Sequence, residues 1–211
     1  MGIKELTKTS EKHLVDFNYV DAAAGITYLK YYVGAIKNAS GTITYVLKPF
    51  SFHGSELKAS SNGTGTGVRI DKTFTYDVLR NIIVDGNALV SFEIFMYKYG
   101  WSGNSSTYDL DVKIIKNTTT LATFTRSNIG GTFVIGSGSY YENVNAILDL
   151  PKTVFKRGDT LKLEVIFTSN SGDVLMELTI FYDPDSVSVT IDSIANTHTE
   201  MILYLPVVPE L

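Results

Sequence analysis

The chain contains no cysteine in 211 residues. Disulfides and thiolate metal sites are therefore excluded. The absence leaves the compartment open, because a cysteine-free chain tolerates life outside a cell without requiring it. Charge is sparse as well: 19% of residues are charged, and 22 acidic against 18 basic residues give a net charge of −4. Duplex-binding proteins carry a basic face and a high pI, so no direct nucleic-acid partner is expected. No apolar run approaches the roughly 20 residues of a membrane helix, so no membrane partner is expected either. Met1 to Leu6 has no apolar signal-peptide core, and Leu6 stands where a myristoylation signal needs Ser or Thr. Helical signals are scarce: no segment longer than about two turns has an amphipathic pattern. No repeat of solenoid or propeller period is visible.

What the chain does have is strand chemistry. It holds 23 Thr, 18 Ser and 13 Tyr beside 17 Gly. Thr, Tyr, Val, Ile and Phe suit a half-buried pleated surface, and Gly, Ser and Asn supply turns. Hydrophobic residues make up 44%, enough for one globular core. Val15, Phe17 and Tyr19 alternate with Asp16 and Asn18, and Asp21 to Gly25 breaks that run. Ile26–Ile36 and Thr42–Phe50 read as a hairpin around Asn38 to Gly41. Ser60 to Gly67 reads as a long loop, and Val68–Tyr76 as the next strand. Asp85-Gly86-Asn87 reads as a turn into an Ala88–Tyr99 strand, apolar on both faces, as a central or interface strand is. Further strands are expected at Leu110–Ile114, Thr120–Thr125, Val144–Leu150, Leu161–Phe167, Val174–Tyr182, Val187–Ile191 and Met201–Leu205. The organisation expected is an N-terminal arm (1–12), a single β-sandwich domain (13–205) and a C-terminal tail (206–211). The fold class expected is all-β, an antiparallel β-sandwich, most simply a jelly roll.

Catalytic signatures are absent. His13, His53 and His198 lie far apart and in no motif, and neither a GxSxG elbow nor HExxH occurs. A hydrolase would need two of these histidines, or a carboxylate pair, to meet in a cleft. No enzyme activity, cofactor or metal is expected. Asp109 and Asp111 are two apart and share a strand face, which suits calcium, but the solvent face of a half-buried strand explains them more simply. Asp183-Pro184-Asp185 reads as a turn. The glycines at 63, 65 and 67 lack the Lys-Ser/Thr of a P-loop. Arg157-Gly158-Asp159 spells an integrin-type tripeptide, yet Gly-Asp is well explained as the turn before a strand. Asn38, Asn62, Asn104 and Asn117 form Asn-x-Ser/Thr sequons. Tyr97, Tyr99, Trp101, Tyr140 and Tyr141 are the aromatic candidates for a protein interface or a glycan platform, with the core as their plain alternative.

The segment Leu150 to Val165, which contains Phe155-Lys156-Arg157-Gly158-Asp159-Thr160-Leu161, and the later Phe181-Tyr182-Asp183-Pro184-Asp185 resemble the C-terminal part of β-rich virion proteins of tailed phages and related viruses. Tyr28 to Ala35 is similar to their N-terminal strand. The resemblance implies a jelly-roll capsid or capsid-decoration protein that acts by homo-oligomeric assembly, for instance as a trimer, with other capsid proteins as partners. It would be made in the host cytoplasm and exposed outside the cell as part of the virion. Such families bring no catalytic residues to carry over. The rival expectation is a carbohydrate-binding β-sandwich, lectin-like or part of a phage adsorption device, with glycans as partners.

Overall fold

In a computed structural model the chain is described over residues 27–56, 58–63, 66–98, 107–129, 138–170, 176–182, 188–191, 194–198 and 200–208. The strands are β1 (Thr27–Lys37), β2 (Ile43–Lys48), β3 (Lys58–Gly63), β4 (Gly67–Asp77), β5 (Ile82–Lys98), β6 (Tyr108–Lys116), β7 (Thr119–Ile129), β8 (Gly138–Phe155), β9 (Thr160–Ser169), β10 (Met176–Phe181), β11 (Ser188–Ile191), β12 (Ile194–His198) and β13 (Ile202–Val208). The chain is an all-β, mostly antiparallel sandwich, as its composition implies. Eleven strands form one continuous sheet in the order β3-β10-β5-β13-β1-β2-β4-β9-β6-β7, with β8 on the far edge of β5. β11 and β12 form a separate pair.

The sheet changes layer between β2 and β4, which meet in parallel at a single position, Val46 opposite Thr75. On one side of that crossing lie β8, β5, β13, β1 and β2, with β10 and β3 joined to β5; on the other lie β4, β9, β6 and β7. Between them lies one core, with Val33, Leu47, Val90, Phe92 and Leu203 from the first layer and Phe74, Leu110, Val112, Leu163 and Phe167 from the second. β9 shows the period-two rule plainly: Leu161, Leu163, Val165 and Phe167 are buried, and Lys162 and Glu164 alternate with them. β5 is covered on both faces around Phe95 and Met96, as its sequence suggests.

Three local departures have physical causes. Asp85-Gly86-Asn87 is a bulge inside a 17-residue strand, not a turn before it: the register with β8 shifts between Val84 and Gly86, and Gly86 has φ +102°. Residues 60–63, expected in a loop, belong to the edge strand β3 and pair with β10. β13 continues past Leu205 through Pro206, in the middle of the sheet. Val33 N–H donates to Met201 O, so alternate β13 residues face β1 and Pro206 would turn its amide toward β5. Proline has no N–H, and it is here that the β13–β5 register shifts, between Tyr204 and Val207.

Candidate functional site

Two surfaces gather chemistry-bearing side chains. The first is the outer face of the large layer. Cross-strand register lines up Lys30 on β1, Tyr204 on β13, Leu89 on β5 and Ile147 on β8. Their sequence neighbours Tyr31, Leu203, Leu205, Ala88, Val90 and Ala146 point into the core, so this row points out. Tyr32, one position along β1's outer face, lies opposite Lys48 of β2. The Lys30 ammonium sits 4.5 Å from the Tyr32 ring centroid and 6.0 Å from that of Tyr204. Glu200 approaches Lys30 to 3.7 Å. Burial opposes the charge on Lys30, but the hydrogen bond with Tyr32 and the charge of Glu200 outweigh it, so its pKa is raised. Lys48 lies 4.7 Å from the Phe52 centroid and 5.6 Å from that of Phe50. Ile147 is 60% exposed and Phe50 41%. The result is a band of aromatic, aliphatic and cationic groups on an exposed sheet face.

The second is a polar cleft of about 350 Å³ between β2, β3 and β4, capped by Tyr182. Tyr182 donates to Glu56 Oε2 at 2.8 Å, and Tyr45 donates to the same oxygen at 3.4 Å. Lys72 Nζ donates to the Tyr45 hydroxyl at 2.5 Å. Below these polar tips, Tyr45, Phe74 and Tyr182 pack edge to face with centroids 5.4–6.1 Å apart, so the phenols are held by the core itself. Burial and then the neighbouring Glu56 push the Tyr182 hydroxyl far above its ordinary pKa, which keeps it a donor. Arg69 and Asp71 complete the polar lining. A carboxylate held by two phenols beside a lysine can accept, hold or deliver a proton. Sequence reasoning missed this cluster, since bonded partners such as Glu56 and Tyr182 lie 126 residues apart and in no shared motif.

The aromatic candidates fall differently. Tyr99 and Trp101 lie outside the described residues. For Tyr97 and Tyr140 the backbone positions are described: Tyr97 is opposite Ser139 and Tyr140 opposite Met96. Tyr141 is half-buried, and its hydroxyl donates to Glu93 across the β5–β8 ribbon. Among the other candidates, Asp109 accepts from Asn170 Nδ2 at 2.7 Å and from the Asn128 amide at 3.0 Å, which lowers its pKa. Asp111 accepts from Thr125 at 2.6 Å. These carboxylates are used in closing the sheet's end. His53 is exposed on the chain after β2, His13 lies outside the described residues, and His198 is described only as a backbone position in β12. Among the described residues no group of three His, Cys, Asp or Glu is placed to hold a metal. No described helix is long and apolar enough to cross a membrane.

No family model and no curated protein matches the sequence. Solved structures do match the fold. An α-amino acid ester hydrolase superposes with a TM-score of 0.52 at 11% identity, over 86% of this chain and 36% of its own. A CocE/NonD family hydrolase from Staphylococcus aureus gives 0.48 at 14% identity, over 87% and 37%. A structure of infectious bursal disease virus gives 0.24 at 12% identity, over 83% and 42%. The chain thus spans little more than a third of the hydrolases it resembles, and the ester hydrolase likeness is one of fold. It corrects the expectation of no enzyme, which rested on missing motifs alone: the fold is shared with part of an α-amino acid ester hydrolase.

Proposed function

We propose that the chain is a virion structural β-sandwich that builds or decorates a capsid through homo-oligomeric contacts and contacts with other capsid proteins. The observation that carries this reading is the outer band of Ile147, Leu89, Tyr204, Lys30, Tyr32 and Phe50. Large apolar and aromatic groups grouped on one sheet face have the composition of an interface centre, with Lys30 and Lys48 suited to its polar rim. The resemblance of the 150–165 and 181–185 segments to virion proteins adds to it. Light scattering across a concentration series tests the reading. A discrete oligomer that Ile147→Asp with Tyr204→Ser converts to monomer, at unchanged thermal stability, is the expected result. An oligomer indifferent to both substitutions, or a monomer at every concentration, rejects the band as the assembly surface.

A second reading is favoured by the polar cleft. In it, Glu56, held by the Tyr45 and Tyr182 hydroxyls, takes a proton from a water that attacks the carbonyl carbon of a small ester; the bond from that carbon to the alcohol oxygen breaks, and the proton passes from Glu56 to the departing oxygen. The expected result is turnover of p-nitrophenyl acetate above buffer that Glu56→Gln abolishes without unfolding the chain. Turnover equal in both proteins removes this reading.

A further inference from the structure

A cleft of about 600 Å³ opens between β1 and the segment that follows β4. Small-molecule sites fall in the range of about 300–1,000 Å³. Much of the wall is hydrocarbon, supplied by Leu29, Pro49, Leu79 and Ile82. The polar groups on it are nearly all donors. Tyr31 is almost wholly buried and packs against the Tyr76 ring. Neither phenol hydroxyl has a hydrogen-bond partner among the described residues. Arg80 stands on the same wall, exposed, and no described carboxylate forms an ion pair with it. Lys30, also in the lining, already has Glu200 at 3.7 Å. No Asp or Glu occurs among the described lining residues. Burial, and for Tyr31 also Tyr76, raises the pKa of both hydroxyls, and the Arg80 charge opposes the rise. Both phenols therefore stay protonated beside a cation. The Val78 N–H donates to Asp159 O and its carbonyl accepts from the Gly158 N–H, so Leu79 and Arg80 ride on a fixed backbone.

We propose that this cleft binds a small amphipathic carboxylate, an unbranched acid of medium chain length. Its carboxylate meets Arg80 and the Tyr31 and Tyr76 hydroxyls, and its hydrocarbon body lies along Leu29, Leu79 and Ile82. Three observations choose this chemistry. First, donors gathered without an acceptor are satisfied by a ligand that brings one, and a buried hydroxyl left unpaired costs stability. Second, charge is unbalanced by one: Glu200 answers Lys30, and Arg80 is left for an anion whose two oxygens fit the guanidinium fork. Third, the remaining wall offers no hydrogen bonds, so a sugar would leave its hydroxyls unmatched, whereas an alkyl chain covers Leu79, which is 70% exposed. This inference depends on neither the assembly reading nor the ester reading.

Isothermal titration calorimetry of the full chain with sodium octanoate tests the proposal. Saturable binding of one octanoate per chain is expected. Octanol lacks the charge and acetate lacks the hydrocarbon body, so each should bind more weakly by about tenfold or more. Arg80→Met keeps an apolar stem and Tyr31→Phe keeps the ring, so each removes a donor and spares the packing. Each should weaken octanoate by about tenfold or more. Lys72→Met, in the polar cleft, should leave octanoate binding unchanged. No saturable binding to the native chain, octanol as tight as octanoate, or unchanged affinity in Arg80→Met and Tyr31→Phe overturns the proposal. A loss in Lys72→Met puts the acid in the polar cleft and overturns it too. The unaltered chain gives a second readout, because a phenol that donates to a carboxylate shifts its near-ultraviolet absorption to the red. Octanoate should produce a saturable tyrosine difference spectrum that octanol does not. Binding heat without that shift places the acid away from Tyr31 and Tyr76, and the proposal falls.

Discussion

The segment between β4 and β5 has two unlike sides. Behind it, toward the turn before β9, nearly every polar group is engaged. Val78 N–H donates to Asp159 O at 2.8 Å, Gly158 N–H to Val78 O at 2.9 Å, and Arg157 N–H to Asn81 Oδ1 at 3.0 Å. The Asp159 carboxylate accepts from the Lys156 amide at 2.8 Å and Asn117 Nδ2 at 3.0 Å, and Lys116 Nζ lies 3.2 Å away. In front, toward β1, the same segment faces an open cleft, with Leu79 70% exposed. One side is a braced wall and the other, among the described residues, an open cleft. The contrast shows why Arg157-Gly158-Asp159 is present: its backbone and carboxylate hold the wall, which explains the tripeptide without adhesion.

The largest break in this contrast comes from the cleft's floor. Tyr31 is 2% exposed, and its ring lies 5.0 Å from that of Tyr76. Tyr31→Ala should cost about 3–5 kcal/mol, as large-to-small aromatic changes in cores do, read from urea unfolding. Burial, then Tyr76, pushes the Tyr31 hydroxyl well above its ordinary range, with Arg80 opposing. The next break lies in the brace. Gly158 has φ +92°, where any Cβ is strained even though space is open. Gly158→Ala should cost about 1–3 kcal/mol by the same measurement.

Much of this architecture is readable from residues, and the rest fails for identifiable reasons. β9 and β6 follow strict alternation, so their core residues are legible at sight. Asp85-Gly86-Asn87 misleads because a bulge and a turn ask for the same left-handed residue. Ser60 and Ser61 carry no apolar period, so β3 is visible only once β10 pairs with it. The polar cleft is beyond sequence, since Glu56 and Tyr182 meet only through the fold. The end of β2 is half legible: Pro49 marks where β2 must stop, but not that β1 pairs with β13 past that point.

The brace should also show in the pH dependence of stability. Hydrogen bonds from Asn117 and the Lys156 amide, with Lys116 nearby, hold the Asp159 carboxyl down to about 2. In the unfolded chain an aspartate titrates near about 3.9. A lowered folded pKa means the carboxylate's contribution is fully present above that unfolded value and is lost as pH falls through about 2. Urea midpoints measured from pH 5 to 2 should therefore fall less steeply in Asp159→Asn than in the native chain, and equal slopes would show that the carboxylate is not engaged.

The smallest effect sharpens the comparison most. Leu79 sits on the braced segment, yet its side chain points from the exposed front. If the wall is held from behind, Leu79→Ser should change stability by no more than about 0.5 kcal/mol, as surface substitutions do. The same substitution at neighbouring Val78, which is 2% exposed and packed into the core, should cost several times more. Two adjacent residues of similar chemistry would then differ through the side they face alone. A large loss at Leu79 would mean that the cleft front is itself closed by packing, and the division between wall and cleft would have to be abandoned.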